Sequence, residues 1–167
     1  MRELRWTSGP INKDLLGSDE QRRHSGMAST TNLDRFRDII EPEAWEKTLA
    51  GRSVIPVLRN HDPNSPIGTS ENWEVRDNGL WHEGNILKGT PVADQTWVEM
   101  QAGAMAFYSV GFFDVKSEPN ERGGRRFTEV DLVEISVTPI PANAAAAMDA
   151  HAALPDVRKH LEQAEAD

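Results

Sequence analysis

Along the chain, short alternating runs of apolar residues are punctuated by turn residues, with two helical patterns between them. Residues 22 to 31 carry a strand-like pattern, and "NLDRFRD" (32 to 38) is a polar loop. In "EPEAWEKTLAG", Pro42 suits a first helical turn, Glu41 and Glu43 favour its positive end, and Gly51 stops it. Val54, Ile55, Val57 and Leu58 then form a strand that Pro56 pushes toward a sheet edge or a bulge. Pro63 and Pro66 forbid a helix just downstream. Ile67, Thr69, Trp73 and Val75 alternate on one side of the next segment, and "DNG" turns it into "LWHEGNIL" as a hairpin.

A second helix is predicted from Thr90 as cap, Pro91 in the first turn, and Ala93, Trp97, Met100 and Ala104 at helical spacing. Two long strand patterns follow, "AFYSVGFFDVKS" and "RFTEVDLVEISVTPIP", joined by the turn-rich "EPNERGGR". The second alternates Val130, Leu132, Glu134 and Ser136 on one face against Asp131, Val133, Ile135 and Val137 on the other. The final segment is alanine-rich, broken at Pro155 and acidic at its end, without a wide apolar stripe. These elements predict an α+β domain, a mostly antiparallel β barrel or sandwich flanked by a few helices. The chain divides into an N-terminal arm (1–21), a central domain (22–148) and a helical or mobile tail (149–167) that is dispensable for folding.

Composition narrows the function classes. The length of 167 residues suits one domain with a real core, and without cysteine neither a disulfide framework nor a thiolate zinc site is available. A net charge of −9 argues against a sequence-independent nucleic-acid binder, so no nucleic-acid partner is expected. The basic clusters Arg22-Arg23 and Arg122 to Arg126 read as small exposed turns. The first residues lack an apolar core of signal-peptide length and no later segment could span a bilayer, so a soluble protein without a membrane partner is expected.

With no thiol, Ser and Thr supply the nucleophile candidates, and most of them sit in loops as ordinary turn hydroxyls. Ser109 differs, because it lies within a strand core of aromatic and β-branched residues, where a hydroxyl needs a partner. Glu134 likewise stands among apolar neighbours and needs a partner or a raised pKa, unless its face is solvated. If the turn centres on residues 122 and 123, Ser109 faces Ser136 and Gly111 faces Glu134, so hydroxyl and carboxylate share a side. A one-residue slip would bring Asp131 there instead. His61 sits at a strand end between Asn60 and Asp62, as a turn residue or as a base. Serine, histidine and carboxylate are the parts of an acyl-transfer site. A metal set from His61, Asp62, His82 and His24 is the weaker alternative, since its spacing matches no helical His-x-x-x-His signature.

The blocks "VLRNHDPNSPIGT", "NGLWHEGNI", "AGAMAFYSVGFF" and "TEVDLVEISVTPIPANAAA", in this order, resemble the tailed-phage prohead (procapsid) maturation proteases, whose fold is related to the herpesvirus assembly protease. The likeness spans roughly residues 25 to 147; Glu43-Ala44-Trp45 departs from the Gly and Ala-Phe usual there. It implies His61 as general base, Ser109 as nucleophile and Glu134 as acidic member, with Asp62 ordering the loop. It further implies a serine endopeptidase, without a cofactor, that acts in the host cytoplasm inside an assembling prohead. There it cuts scaffold or capsid-protein extension segments, and itself. The resemblance leaves room for a homo-oligomer. An oxyanion hole is sought in the "ERGGRR" turn or the backbone near Ser109. The alternative is a catalytically silent capsid-assembly or interaction protein on the same fold.

Overall fold

Strand signals dominate the sequence, and they assemble into one sheet. A computed structural model of the chain describes residues 16–143 together with 146 and 148. The elements are β1 (Arg23–Thr30), β2 (Ile39–Ile40), a 3-10 turn (Pro42–Trp45) running into α1 (Glu46–Leu49), β3 (Ile55–Arg59), β4 (Asp62–Arg76), β5 (Gly79–Ile86), α2 (Pro91–Ala102), β6 (Phe107–Pro119) and β7 (Arg125–Thr138). The sheet order is β1-β5-β4-β3-β7-β2, with β6 also paired to β7. Pairing is antiparallel except where β3 and β2 run parallel to β7. The sheet curls far enough for His24 of β1 to hydrogen-bond Tyr108 of β6. Among the described residues the fold is thus an α+β half-barrel with two short helices; residues 1–15 of the expected arm and the expected tail past 148 lie outside them.

Burial of apolar side chains closes the curl. Trp45 of the 3-10 turn, Trp97 and Met100 of α2, and Ile55, Ile67, Leu132, Ile135 and Val137 of the sheet form one cluster with Leu16 and Met148. Each such side chain contributes about 1.5–3 kcal/mol of transfer free energy. Leu16 and Met148 belong to this core although both lie near the ends of the described chain.

Several expectations need correction. The second helix ends at Ala102, because Gly103 takes a left-handed cap (φ 80°), so Ala104 is exposed and outside the helical stripe. Thr90 makes no side-chain cap; the carboxylate of Asp94 instead reaches back to the Gly89 N–H at 3.0 Å. β3 is an inner strand, and Pro56 is tolerated because pairing with β7 begins only at Val57. In β4 the register shifts at Ile67, which puts Ser70 in the interior against the predicted alternation, and a bulge between Ser70 and Asn72 restores it, so that Trp73 and Val75 pack on the core. Arg22 is buried rather than turn-like, held by Asp19 (3.1 Å) and Asp94 (2.6 Å).

Under β6 lies a buried polar group of two histidines. His24 Nδ1 is 2.6 Å from Tyr108 Oη, His82 Nδ1 is 3.0 Å from Ser70 Oγ, and the two imidazoles stand 5.5 Å apart edge to face. Burial holds His24 neutral down to about 3 and pushes His82 well below its usual value. A base depressed in the folded state stabilises fully above the unfolded value of about 6.5, and that stability is lost as pH falls below it. Urea unfolding should therefore lose about 1.4 kcal/mol per pH unit for His24 between pH 6 and 4, and His82 should add to that loss in the same direction. His82→Gln should flatten that slope by about one histidine's worth; an unchanged slope would mean that His82 takes up its proton in the folded state.

Candidate active site

β3 meets β4 through a two-residue turn. Arg59 pairs with Asp62, and both intervening residues have positive φ, Asn60 at 50° and His61 at 59°. This is the signature of a type I′ turn, for which Asn-Gly is the favoured sequence. His61 therefore occupies a position where glycine is the cheaper choice, at a cost of about 1–2 kcal/mol. Contacts from β7 hold it there. The Asn60 N–H donates to the Val137 carbonyl at 3.1 Å and the His61 N–H to Ser136 Oγ at 2.8 Å. Arg59, one residue earlier, is tied to α2 by Thr96 Oγ1 (2.9 Å) and by an ion pair with Glu99. Asp62 opens β4 rather than a loop and orders its first residues, accepting from the Asn64 N–H (2.9 Å) and the Ser65 hydroxyl (2.8 Å).

The predicted register of β6 on β7 holds at the site. Ser109 lies opposite Ser136 and Gly111 opposite Glu134. The ladder shifts immediately afterwards, where Phe112 pairs with Leu132 and leaves Val133 as an extra residue. That bulge corrects the expected alternation. Val130 and Leu132 pack in the core, but the phase flips at Val133, so Ile135 and Val137 take the core side while Glu134 turns to His61. Asp131, the alternative acid, is exposed and engaged by Arg52 at 3.1 Å.

Three side chains predicted from the sequence now meet. His61 Nε2 is 2.8 Å from Ser109 Oγ, and His61 Nδ1 hydrogen-bonds Glu134 Oε1. A carboxylate can only accept, so Nδ1 carries the proton and Nε2 presents its lone pair to the serine hydroxyl. The bond to Glu134 raises the pKa of His61 above its usual value, against the opposing effect of burial. Glu134 is itself buried, and its second oxygen accepts the Ser136 hydroxyl at 2.7 Å. Such a chain can move a proton from hydroxyl to imidazole and stabilise the imidazolium that results.

Gly111 makes room for this carboxylate. A β-carbon built there would collide with Glu134 Oε1 and lie 3.0 Å from its Cδ. Gly111→Ala should therefore displace Glu134 from His61 and slow any reaction of Ser109 by about 10–100-fold, with a stability loss of about 1–3 kcal/mol. Full reactivity in that variant, read by labelling with a fluorophosphonate, would show that the carboxylate need not lie over Gly111.

A cleft of about 240 Å³ opens beside Ser109 and His61, lined among others by Thr30, Asn32, Asp34, Phe36, Ile40 and Phe112. Pro119, ten residues along β6 from Ser109, pairs with Arg125, whose N–H donates to Asp38, a residue of the cleft lining, at 2.8 Å. Of the alternative metal set, His24 and His82 lie buried 5.5 Å apart, while His61 stands at the β3–β4 turn, hydrogen-bonded to Ser109 and Glu134. Among the described residues no group of three or more His, Cys, Asp or Glu is arranged to hold a metal ion. Ser136 was visible in the sequence only as the residue opposite Ser109, and its contacts to His61 and Glu134 carried no sequence signal.

Residues 24–160 match the family described as caudovirus prohead serine protease. The chain belongs to that family. The family is one of serine proteases. A capsid polyprotein of Pseudomonas phage PAJU2 is 31% identical over 137 residues, covering 77% of this chain and 20% of the relative. The chain thus spans about a fifth of the length of that curated relative. Among solved structures, the bacteriophage T4 capsid assembly protease is similar at a TM-score of 0.54 and 14% identity, covering 71% of this chain and 81% of that one. The Kaposi's sarcoma-associated herpesvirus protease is similar at 0.52 and 12%, covering 86% and 75%. The varicella-zoster virus protease follows at 0.51 and 9%, covering 87% and 76%. These capsid-assembly and herpesvirus proteases share the fold.

Proposed function

We propose that this prohead-family protease cleaves scaffold or capsid-protein extension segments, and itself, during prohead maturation, by acyl-enzyme chemistry at Ser109. The observation that carries the reading is the continuous chain from Ser109 Oγ through both nitrogens of His61 to Glu134. His61 Nε2 takes the hydroxyl proton as Ser109 attacks the peptide carbonyl, then delivers it to the leaving amine; water reverses the sequence and frees the acid product. Glu134 holds the tautomer and stabilises the imidazolium. The cleft beside Ser109 receives the substrate chain.

The similarity to a phage capsid polyprotein supports capsid-related substrates, because a polyprotein requires cuts. The setting that follows is the host cytoplasm, inside the assembling prohead. Among the described residues no helix is long and apolar enough to cross a membrane. Co-expression of the chain with its capsid subunit, with the products weighed by mass spectrometry, tests the proposal. Discrete new termini on the capsid subunit or on the protease are expected. Intact masses for both, from an enzyme that still reacts with a fluorophosphonate at Ser109, would show that the substrate lies elsewhere.

A further inference from the structure

We infer that Ser136 is a positioning residue, whose single hydroxyl locks the imidazole of His61 and the carboxylate of Glu134 into one arrangement. The inference rests on the roles proposed above for Ser109, His61 and Glu134. Ser136 Oγ accepts the backbone N–H of His61 at 2.8 Å and lies 2.7 Å from Glu134 Oε2. A backbone N–H can only donate, so the hydroxyl proton is left for the carboxylate, and both bonds have a fixed direction. Glu134 Oε1 in turn takes Nδ1 of the same histidine. The contacts close a ring, from the backbone of His61 through Ser136 and Glu134 back to the ring of His61.

Two features of the site call for such a clamp. His61 sits at a left-handed turn position, and the N–H of that position points outside the β3–β4 ladder. Ser136 is fully buried and lies opposite Leu58 in the parallel pairing of β3 with β7, close enough to the turn to accept that N–H. Second, the last torsion of a glutamate is soft, so a carboxylate bound through one oxygen can swivel. The Ser136 bond fixes the second oxygen, and with it the plane in which Oε1 meets Nδ1. Removing the hydroxyl frees Glu134 to rotate and leaves the His61 N–H without its acceptor, while the nucleophile, base and acid all remain.

The test uses the rate of fluorophosphonate labelling at Ser109 as a function of pH, in the full chain. Its variants are Ser136→Ala and Ser136→Cys; the thiol keeps the volume but is a weak donor. Both should label at least tenfold more slowly. Their acid-limb midpoints should move down from the wild-type value toward that of Glu134→Gln, because the carboxylate no longer sits squarely on Nδ1. Rates within about threefold of wild type, or a lowered melting temperature with an unmoved midpoint, would overturn the inference and leave the three catalytic roles standing. A wild-type chain that is not labelled at Ser109 would instead overturn those roles. Should the alanine variant fail to fold, the cysteine variant decides.

Discussion

Replacing Ser109 with alanine is expected to reduce cleavage of the capsid subunit by at least three orders of magnitude. The variant deletes one oxygen and nothing that the fold depends on. Ser109 Oγ contacts His61 Nε2 at the edge of the cleft, and the core cluster does not include it. Loss of one member of a Ser-His-acid set removes nucleophilic catalysis and leaves only what binding and the oxyanion site contribute. The melting temperature should stay within a degree or two of the parent, which separates chemical loss from unfolding. Termini that persist at the parental rate, read by mass spectrometry of the co-expressed capsid subunit, would remove Ser109 from the mechanism.

Glu134→Gln is expected to have the second largest effect, a fall in rate of about 10³–10⁴-fold, by analogy with amide replacement of a triad acid. The variant keeps shape and loses the charge that stabilises the imidazolium. It also changes the pH profile in a defined direction. His61 must be neutral to accept the serine proton, and its pKa is raised by Glu134. The acid limb of the parental enzyme should therefore have its midpoint above about 6.5, with activity lost as pH falls through it. Without the carboxylate the chief raising cause is gone and burial, which lowers the value, remains. The midpoint of the residual activity should move down. An unmoved midpoint would mean that Glu134 does not set the basicity of His61. Asp131→Asn, at a side chain already paired with Arg52, should leave both rate and midpoint near parental values.

The local patterns of the sequence determined most of the elements and one long-range pairing. The hairpin at Gly79, the helix opening at Pro91 and the two strands around Ser109 and Glu134 each carry their signal within a few residues, as alternation, proline or turn chemistry. Because cross-strand partners share a face, a turn placed near residue 122 was enough to put Ser109 opposite Ser136 and Gly111 opposite Glu134. That agreement also depended on something the pattern does not contain. Near the turn the strands pair one residue out of the expected step, Pro119 with Arg125, and bulges bring them back into step by Gly111. A bulge answers to sheet curvature, which no run of side chains announces. Only the tertiary structure could decide that Val133 is expelled and that Glu134 parts from Val130 and Leu132. The same holds for the meeting of His61 with Glu134, 73 positions away, since it requires β3 to run parallel to β7. Parallel neighbours are joined by long crossovers, and loop closure over such distances leaves no local trace in the chain.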